Sequence, residues 1–194
     1  MRVVIVKYNA GNIASVQNAL SRLGVESIVS DEADVLRQAD KVIFPGVGEA
    51  STAMQYLSER NLDAVIKSLT QPVLGICLGM QLLCSHSEEN DTDCLGIFPT
   101  KVKKFADTNL KVPHMGWNTI SRLKSLLFSN VAEGAYAYFV HGYYVEPSED
   151  SAAQCNYGNE FTAAIQKGNF YAVQFHPEKS GVAGTRILEN FLSL

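Results

Sequence analysis

Three short stretches of the 194-residue sequence carry side chains able to do chemistry. In Gly75-Ile76-Cys77-Leu78-Gly79 a cysteine stands between two glycines, after an apolar run and before a helical one. Where a strand turns sharply into a helix, the residue at the turn takes a strained backbone, and small neighbours let the surrounding chain close in. A thiol placed there projects over the carboxyl edge of a sheet, and a helix N-terminus favours thiolate, its nucleophilic form. The same residues also describe a buried structural cysteine with two incidental glycines. The second stretch, His176-Pro177-Glu178, follows an apolar run over residues 170–175, which sets the histidine at a strand end. Residues two apart share one side of an extended chain, so Glu178 is expected to reach the His176 ring, fix its tautomer and favour the imidazolium. Pro177 stiffens the link, although a capped strand end would read the same way. The third stretch, Pro45-Gly46-Val47-Gly48, has two glycines that allow backbone N–H groups to aim at a developing oxyanion. With the N–H of Leu78, a donor from Val47 or Gly48 would complete an oxyanion hole, a contribution of roughly 3–4 kcal/mol. A phosphate cradle is disfavoured, because no Gly-Lys-Ser/Thr follows and no GxGxxG is present. Cys77 as nucleophile, His176 as base and Glu178 as its orienter would form a cysteine–histidine–carboxylate triad.

Such a site needs strands that end together. Residues 2–6 form a β-branched run; Gly11 and Asn12 interrupt it, and Ile13, Val16, Ala19, Leu20 and Leu23 recur at helical spacing. Further apolar strands are expected at 25–29, 41–44, 73–76 and 170–175, with a helix from the cysteine through Leu82 and an amphipathic helix around Ile187, Leu188, Phe191 and Leu192. Strands alternating with helices predict an α/β fold, a mostly parallel central sheet covered by helices on both faces. Shorter runs at 102–105, 136–140, 143–146, 152–157 and 161–166 predict a smaller antiparallel layer or edge. No repeat or linker divides the chain, so one domain over residues 1–194 is expected. Cys84, seven residues past Cys77 and so on the same helix face, is expected in the core.

Composition narrows the partners. Apolar residues make up 46% and charged residues 19%, with a net charge of −4, opposite in sign to a nucleic-acid binder, so small molecules or another protein are expected. The N-terminal apolar run is too short for a signal segment and no stretch is long enough to cross a bilayer, which predicts a cytoplasmic protein. Cys77, Cys84, Cys94 and Cys155 show no CxxC spacing, so neither disulfides nor a metal site is expected.

Pro45-Gly46-Val47-Gly48, Gly75-Ile76-Cys77-Leu78-Gly79-Met80-Gln81 and His176-Pro177-Glu178 together resemble the class I, triad-type glutamine amidotransferases, along the whole chain. Pro113-His114-Met115-Gly116-Trp117-Asn118 and the tail through Lys179, Ser180 and Gly184 resemble the glutaminase subunits of imidazole glycerol phosphate synthases, of histidine biosynthesis. The glutaminases of anthranilate and aminodeoxychorismate synthases are less similar. The resemblance implies a flavodoxin-like sheet, no cofactor, and L-glutamine held near Gly48, Gln81, Glu89, His141, Gly142 and Tyr143. It also implies that Asn12, Trp117 and Lys179 face a (β/α)8-barrel synthase subunit in a heterodimer that takes up the ammonia. Two departures stand out: Lys7-Tyr8-Asn9 replaces the Asp-Tyr-Gly of many relatives, and Gly142 replaces a common serine. Trp117 also reads as a half-buried core residue, and His114 as a turn histidine. The rival readings are a glutaminase for another synthase, a γ-glutamyl hydrolase acting alone, and a regulatory subunit with a vestigial site.

Overall fold

The computed structural model describes residues 1–9, 11–106 and 110–194. Its first half alternates strand and helix: β1 (Val3–Val6), α1 (Ile13–Arg22), β2 (Ser27–Ser30), α2 (Ala33–Arg37), β3 (Lys41–Gly46), α3 (Ala50–Glu59), α4 (Leu62–Lys67), β4 (Val73–Cys77) and α5 (Leu78–Leu83). The second half is mainly strands: β5 (Cys84–Ser87), β6 (Thr92–Asp93), β7 (Phe98–Lys104), β8 (His114–Thr119), β9 (Tyr136–His141), β10 (Tyr143–Val145), β11 (Ser151–Tyr157), β12 (Asn159–Lys167) and β13 (Phe170–Val173). A short 3₁₀ turn over Pro177–Lys179 and α6 (Gly181–Ser193) complete the chain. Among the described residues no helix is long and apolar enough to cross a membrane.

The main sheet runs β2-β1-β3-β4-β13-β12-β10-β7-β5-β6, with β11 on β12. Its first five strands are parallel. Every residue of β1, β3, β4 and β13 is buried, which demands apolar side chains at successive rather than alternate positions. Alternate side chains then feed two cores. Val4, Val6, Val42, Phe44 and Val73 pack with α2, α3, α4 and α5 on one face. Val3, Ile5, Ile43, Leu74 and Ile76 pack on the other with Val16, Ala19 and Leu20 of α1, Ile187, Leu188 and Phe191 of α6, and Phe139 of β9. The helices therefore cover both faces, as the strand–helix alternation predicts.

The later strands divide. β10, β11 and β12 extend the main sheet as an antiparallel edge, whereas β9 pairs with β8 in a separate two-stranded sheet. Three local expectations need correction. β2 starts at Ser27, because Gly24 at φ 74° and the Val25 N–H to Leu20 carbonyl bond first close the end of α1. Residues 102–104 are the tail of a strand that begins at Phe98, and Phe105 lies just past its end. Cys84 is buried, as expected, but as the first residue of β5: α5 has only six residues and ends before it.

Register fixes what meets at the sheet's carboxyl edge. Gly46 of β3 stands opposite Cys77 of β4, and Val173 of β13 opposite Ile76. Beyond Val173 the chain leaves this ladder: the Gln174 N–H bonds Ala163 O at 2.8 Å, and the His176 N–H bonds Tyr138 O at 2.9 Å. The histidine is thus carried from the main sheet toward β9.

Candidate active site

Cys77 ends β4 at φ 53°, ψ −108°, a positive φ that non-glycine residues rarely adopt. Its flanking glycines are required by packing. A Cβ on Gly75 would lie 2.8 Å from Leu83 Cδ1, and one on Gly79 only 1.8 Å from the Phe44 carbonyl oxygen, so α5 sits directly on β3 and β4. The side chain is held between a donor and an acceptor: Cys77 Sγ lies 3.7 Å from Val140 O and accepts from Gln174 Nε2 at 3.7 Å.

His176 is 1% exposed, and its Nδ1 bonds Glu178 Oε1 at 2.8 Å. The expected pairing is made, but by another local route. Pro177–Lys179 is a 3₁₀ turn rather than extended chain, closed by the Lys179 N–H on His176 O at 3.0 Å. Ser180 Oγ donates to the same carbonyl at 2.7 Å. Burial works against a charged His176 ring, but hydrogen bonding to Cys77 and Glu178 and their negative charge outweigh it, raising the ring to about 10.

Beside Cys77 lies a cavity of about 240 Å³, lined by Val47, Gly48, Cys77, Leu78, Gln81, Glu89, Pro113, Val140, His141, Gly142 and Tyr143. That volume lies below the roughly 300–1,000 Å³ of drug-sized ligand sites and suits a small amino acid. All the positions expected to hold glutamine or an oxyanion line it. Gln81 donates its amide to Tyr143 O and to Gln174 Oε1, each at 3.0 Å. Glu89 Oε2 accepts the N–H of Ala50, the first residue of α3, at 2.8 Å; burial raises this carboxyl above its usual range, partly opposed by that bond. A larger cavity of about 340 Å³ between α1 and α6 also touches Glu178, but neither Cys77 nor His176 lines it.

His141 belongs to a second network. Its Nδ1 bonds Tyr143 O at 2.7 Å, and its Nε2 lies 2.9 Å from His114 Nδ1, while His114 Nε2 meets Asn118 Nδ2 at 3.3 Å. The carbonyl demands a proton on His141 Nδ1, so the next bond must be donated by His114 and the last by Asn118: both rings are neutral with fixed tautomers. Burial lowers them accordingly, His141 to about 3 and His114 to about 4. His114 is stacked between Phe139 and Tyr157, with ring centroids 4.9 and 4.0 Å away, and is not a turn histidine.

The three residues expected at an interface fare differently. Trp117 is 55% exposed, its ring edge against Tyr138, so it is not a core residue; Lys179 is exposed. Asn12 turns inward and donates its side-chain amide to Glu178 Oε1. Sequence reasoning missed two neighbours. Tyr8, buried, donates to Pro45 O at 2.6 Å beneath the glycine loop, and burial with the nearby Cys77 raises its phenol well above the ordinary value. A Cβ on Gly46 would overlap that hydroxyl. Gln174 is wholly buried against Cys77 and Gln81; a glutamine inside an otherwise apolar strand was the available signal.

A family model described as glutamine amidotransferase class-I matches residues 4–194. The chain is 61% identical over 196 residues to the imidazole glycerol phosphate synthase subunit HisH of Bacteroides fragilis and 52% identical to that of Escherichia coli K12, covering 100% of each chain in both comparisons. Among solved structures, a chain in the PurLQS structure of Thermotoga maritima superposes with a TM-score of 0.74 at 17% identity, covering 99% of this chain and 97% of that one. A glutamine amidotransferase from the same organism gives 0.68 at 15%, covering 100% and 83%. At these identities the structural likenesses bear on the fold alone.

Proposed function

The chain belongs to the class-I glutamine amidotransferases, as a glutaminase subunit of imidazole glycerol phosphate synthase, and on that premise we propose that Cys77, His176 and Glu178 are its catalytic triad. The Cys77 thiolate attacks the side-chain amide carbon of L-glutamine. The carbon–nitrogen bond breaks as His176 supplies the proton with which the nitrogen leaves as ammonia. A γ-glutamyl thioester remains; His176 takes a proton from water, the hydroxide adds to the thioester, and glutamate leaves with the thiolate restored. Glu178 keeps the ring in one tautomer. The N–H of Leu78 and one from Val47 or Gly48 receive the tetrahedral oxygen.

In this reading Glu89 receives the α-ammonium of glutamine, and Gln81 presents its amide oxygen, since its amide hydrogens are used on Tyr143 and Gln174. His141 is a wall and not a base, because both its ring nitrogens are engaged. Gly142 supplies backbone where many relatives supply a serine hydroxyl. No cofactor is needed. The observation that carries the reading is the positive-φ Cys77 elbow beside an amino-acid-sized cavity, with a buried His176–Glu178 pair at its sulfur. Cys77→Ala is expected to abolish synthesis fed by glutamine and to spare synthesis fed by an ammonium salt. Loss of both would make Cys77 a structural residue.

The partner is inferred to be a (β/α)8-barrel synthase subunit, joined as a heterodimer over the outer face of β8 and β9. Support comes from Met115, Trp117 and Tyr136, which are 64%, 55% and 62% exposed on one small sheet, with exposed Lys179 nearby. Ammonia released into neutral water becomes mostly ammonium, so a sealed junction follows from the chemistry. A single domain over residues 1–194 is supported by β1 and β13, from opposite ends of the chain, sharing one sheet, and a biosynthetic role fits the cytoplasm. The Pro45–Gly48 loop is the inferred switch: Tyr8 anchors its start, and the Gly11 N–H holds Val47 O at 3.3 Å. Glutaminase activity is therefore expected to be weak alone and to rise with the partner and its nucleotide ligand; equal turnover in both conditions sinks the gating.

A further inference from the structure

We propose that Asn12 is a positioning residue of the glutaminase site, fixing the Glu178 carboxylate so that the His176 ring stays on the Cys77 sulfur. The inference rests on the triad reading above. Asn12 Nδ2 donates to Glu178 Oε1, the same oxygen that accepts His176 Nδ1 at 2.8 Å. The Glu178 side chain is fully buried, and its Oε2 has no hydrogen-bond partner among the described residues. Among the described residues Asn12 is thus the one neutral donor on a buried carboxylate that otherwise holds the imidazole. A carboxylate with a single donor can turn about its terminal torsion and exchange oxygens. A second donor on the same oxygen defines which lone pairs the imidazole meets.

The local backbone supports the assignment. Asn12 occupies the N-cap of α1, where an asparagine oxygen ordinarily accepts an orphan N–H of the first turn. Here there is no side-chain cap, and the residue sits at φ 73°, ψ 7°, a left-handed conformation that asparagine tolerates better than most. The helix start forgoes its cap while the amide is directed to a residue 166 positions away. A local rule broken in favour of a distant contact marks a functional position. Asn12 Nδ2 also lies 3.4 Å from His176 Nδ1. Because that nitrogen donates to Glu178, the approach is a close contact that limits rotation of the ring rather than a second bond.

The test is Asn12→Gly, with Asn12→Asp as the second variant, assayed for glutamine hydrolysis at saturating partner subunit. Glycine accepts the left-handed backbone, and the side chain it removes made no cap, so the melting temperature should hold within a few degrees. The rate kcat should fall about 10–100-fold, the range seen when a supporting hydrogen bond behind a reacting group is lost, with KM for glutamine changed less than about threefold. Asn12→Asp, which sets a second carboxylate against Glu178, should lose more. Synthesis fed by ammonium salt is the control for assembly and should match the wild type in both variants. The proposal is overturned if the glycine variant keeps kcat within twofold, if the loss appears in KM alone, or if raising the partner concentration restores full activity. Should the wild type itself hydrolyse no glutamine, or Cys77→Ala remain active, the triad reading fails instead.

Discussion

Two sets of buried histidines sit in one site and are driven in opposite directions. His176, 1% exposed, is raised to about 10, whereas His114 and His141, 4% and 5% exposed, are lowered to about 4 and 3. Burial pushes all three the same way, toward the neutral ring. The difference is in the partners. His176 faces a sulfur and a carboxylate, both able to carry negative charge, while His114 and His141 face each other, a backbone carbonyl and an asparagine amide. The same residue type is thus held charged beside Cys77 and held neutral as a hydrogen-bonded spacer in the neighbouring wall, and neither exposure nor pocket lining alone tells the two apart.

That contrast is broken most directly at His176, the proposed base. His176→Asn should lower glutamine hydrolysis by about 10³-fold or more, as loss of a triad base does, with ammonium-fed synthesis as the control. The matching change in the other set is His114→Phe, which preserves the stacking on Phe139 and Tyr157 but leaves His141 Nε2 buried without its donor. Loss of one buried donor typically costs about 1–3 kcal/mol, and here it loosens the wall carrying Gly142 and Tyr143. KM for glutamine should rise about 3–10-fold with kcat nearly unchanged. A collapse of kcat as deep as that of His176→Asn would make the two sets equivalent and end the comparison.

A ring-proton titration by NMR sharpens it further. Wild-type His176 should keep its proton well above neutral pH, and Cys77→Ala should lower its midpoint, because the hydrogen bond to the sulfur and its negative charge help hold the ring protonated. His114 and His141 should remain neutral down to about pH 5 in both proteins. An unmoved His176 midpoint in the alanine variant would mean that Glu178 alone sets the charge.

The cysteine elbow and the His176–Glu178 pair were legible in the sequence because each has a local cause. Gly75 and Gly79 flank Cys77 for packing reasons that only glycine satisfies, and Glu178 lies two residues from the ring it binds. The central parallel strands were legible because a strand covered on both sides must be apolar at each position, as in β1 and β4. What escaped depends on contacts between distant segments. Nothing near Asn12 indicates that its amide meets Glu178, and as a helix-start asparagine it resembles an ordinary cap. Tyr8 reaches Pro45 across 37 positions, and the tautomers of His114 and His141 follow only once Tyr143 O and Asn118 are in place. β8 was hidden because its two large apolar residues, Met115 and Trp117, face outward rather than into a core, and Gly116 between them, at φ 134°, reads as a turn.

The smallest effect, in stability against pH, separates the two sets by sign. An unfolded histidine titrates near pH 6.5. His114 and His141 are lowered in the fold, so as pH falls from about 6.5 toward 4 the unfolded chain takes up protons that the folded chain refuses, and stability falls. His176 is raised, so its stabilising contribution is fully present below about 6.5 and is lost as pH rises from there toward 10. Each limb should be on the order of 1 kcal/mol or more, readable from urea midpoints at pH 4.5, 6.5 and 9. Cys77→Ala should flatten the alkaline limb and leave the acid one, while His114→Phe should reduce the acid limb and leave the alkaline one. If either variant changed both limbs alike, the proton-holding and proton-refusing histidines would be one coupled cluster rather than two independently built devices.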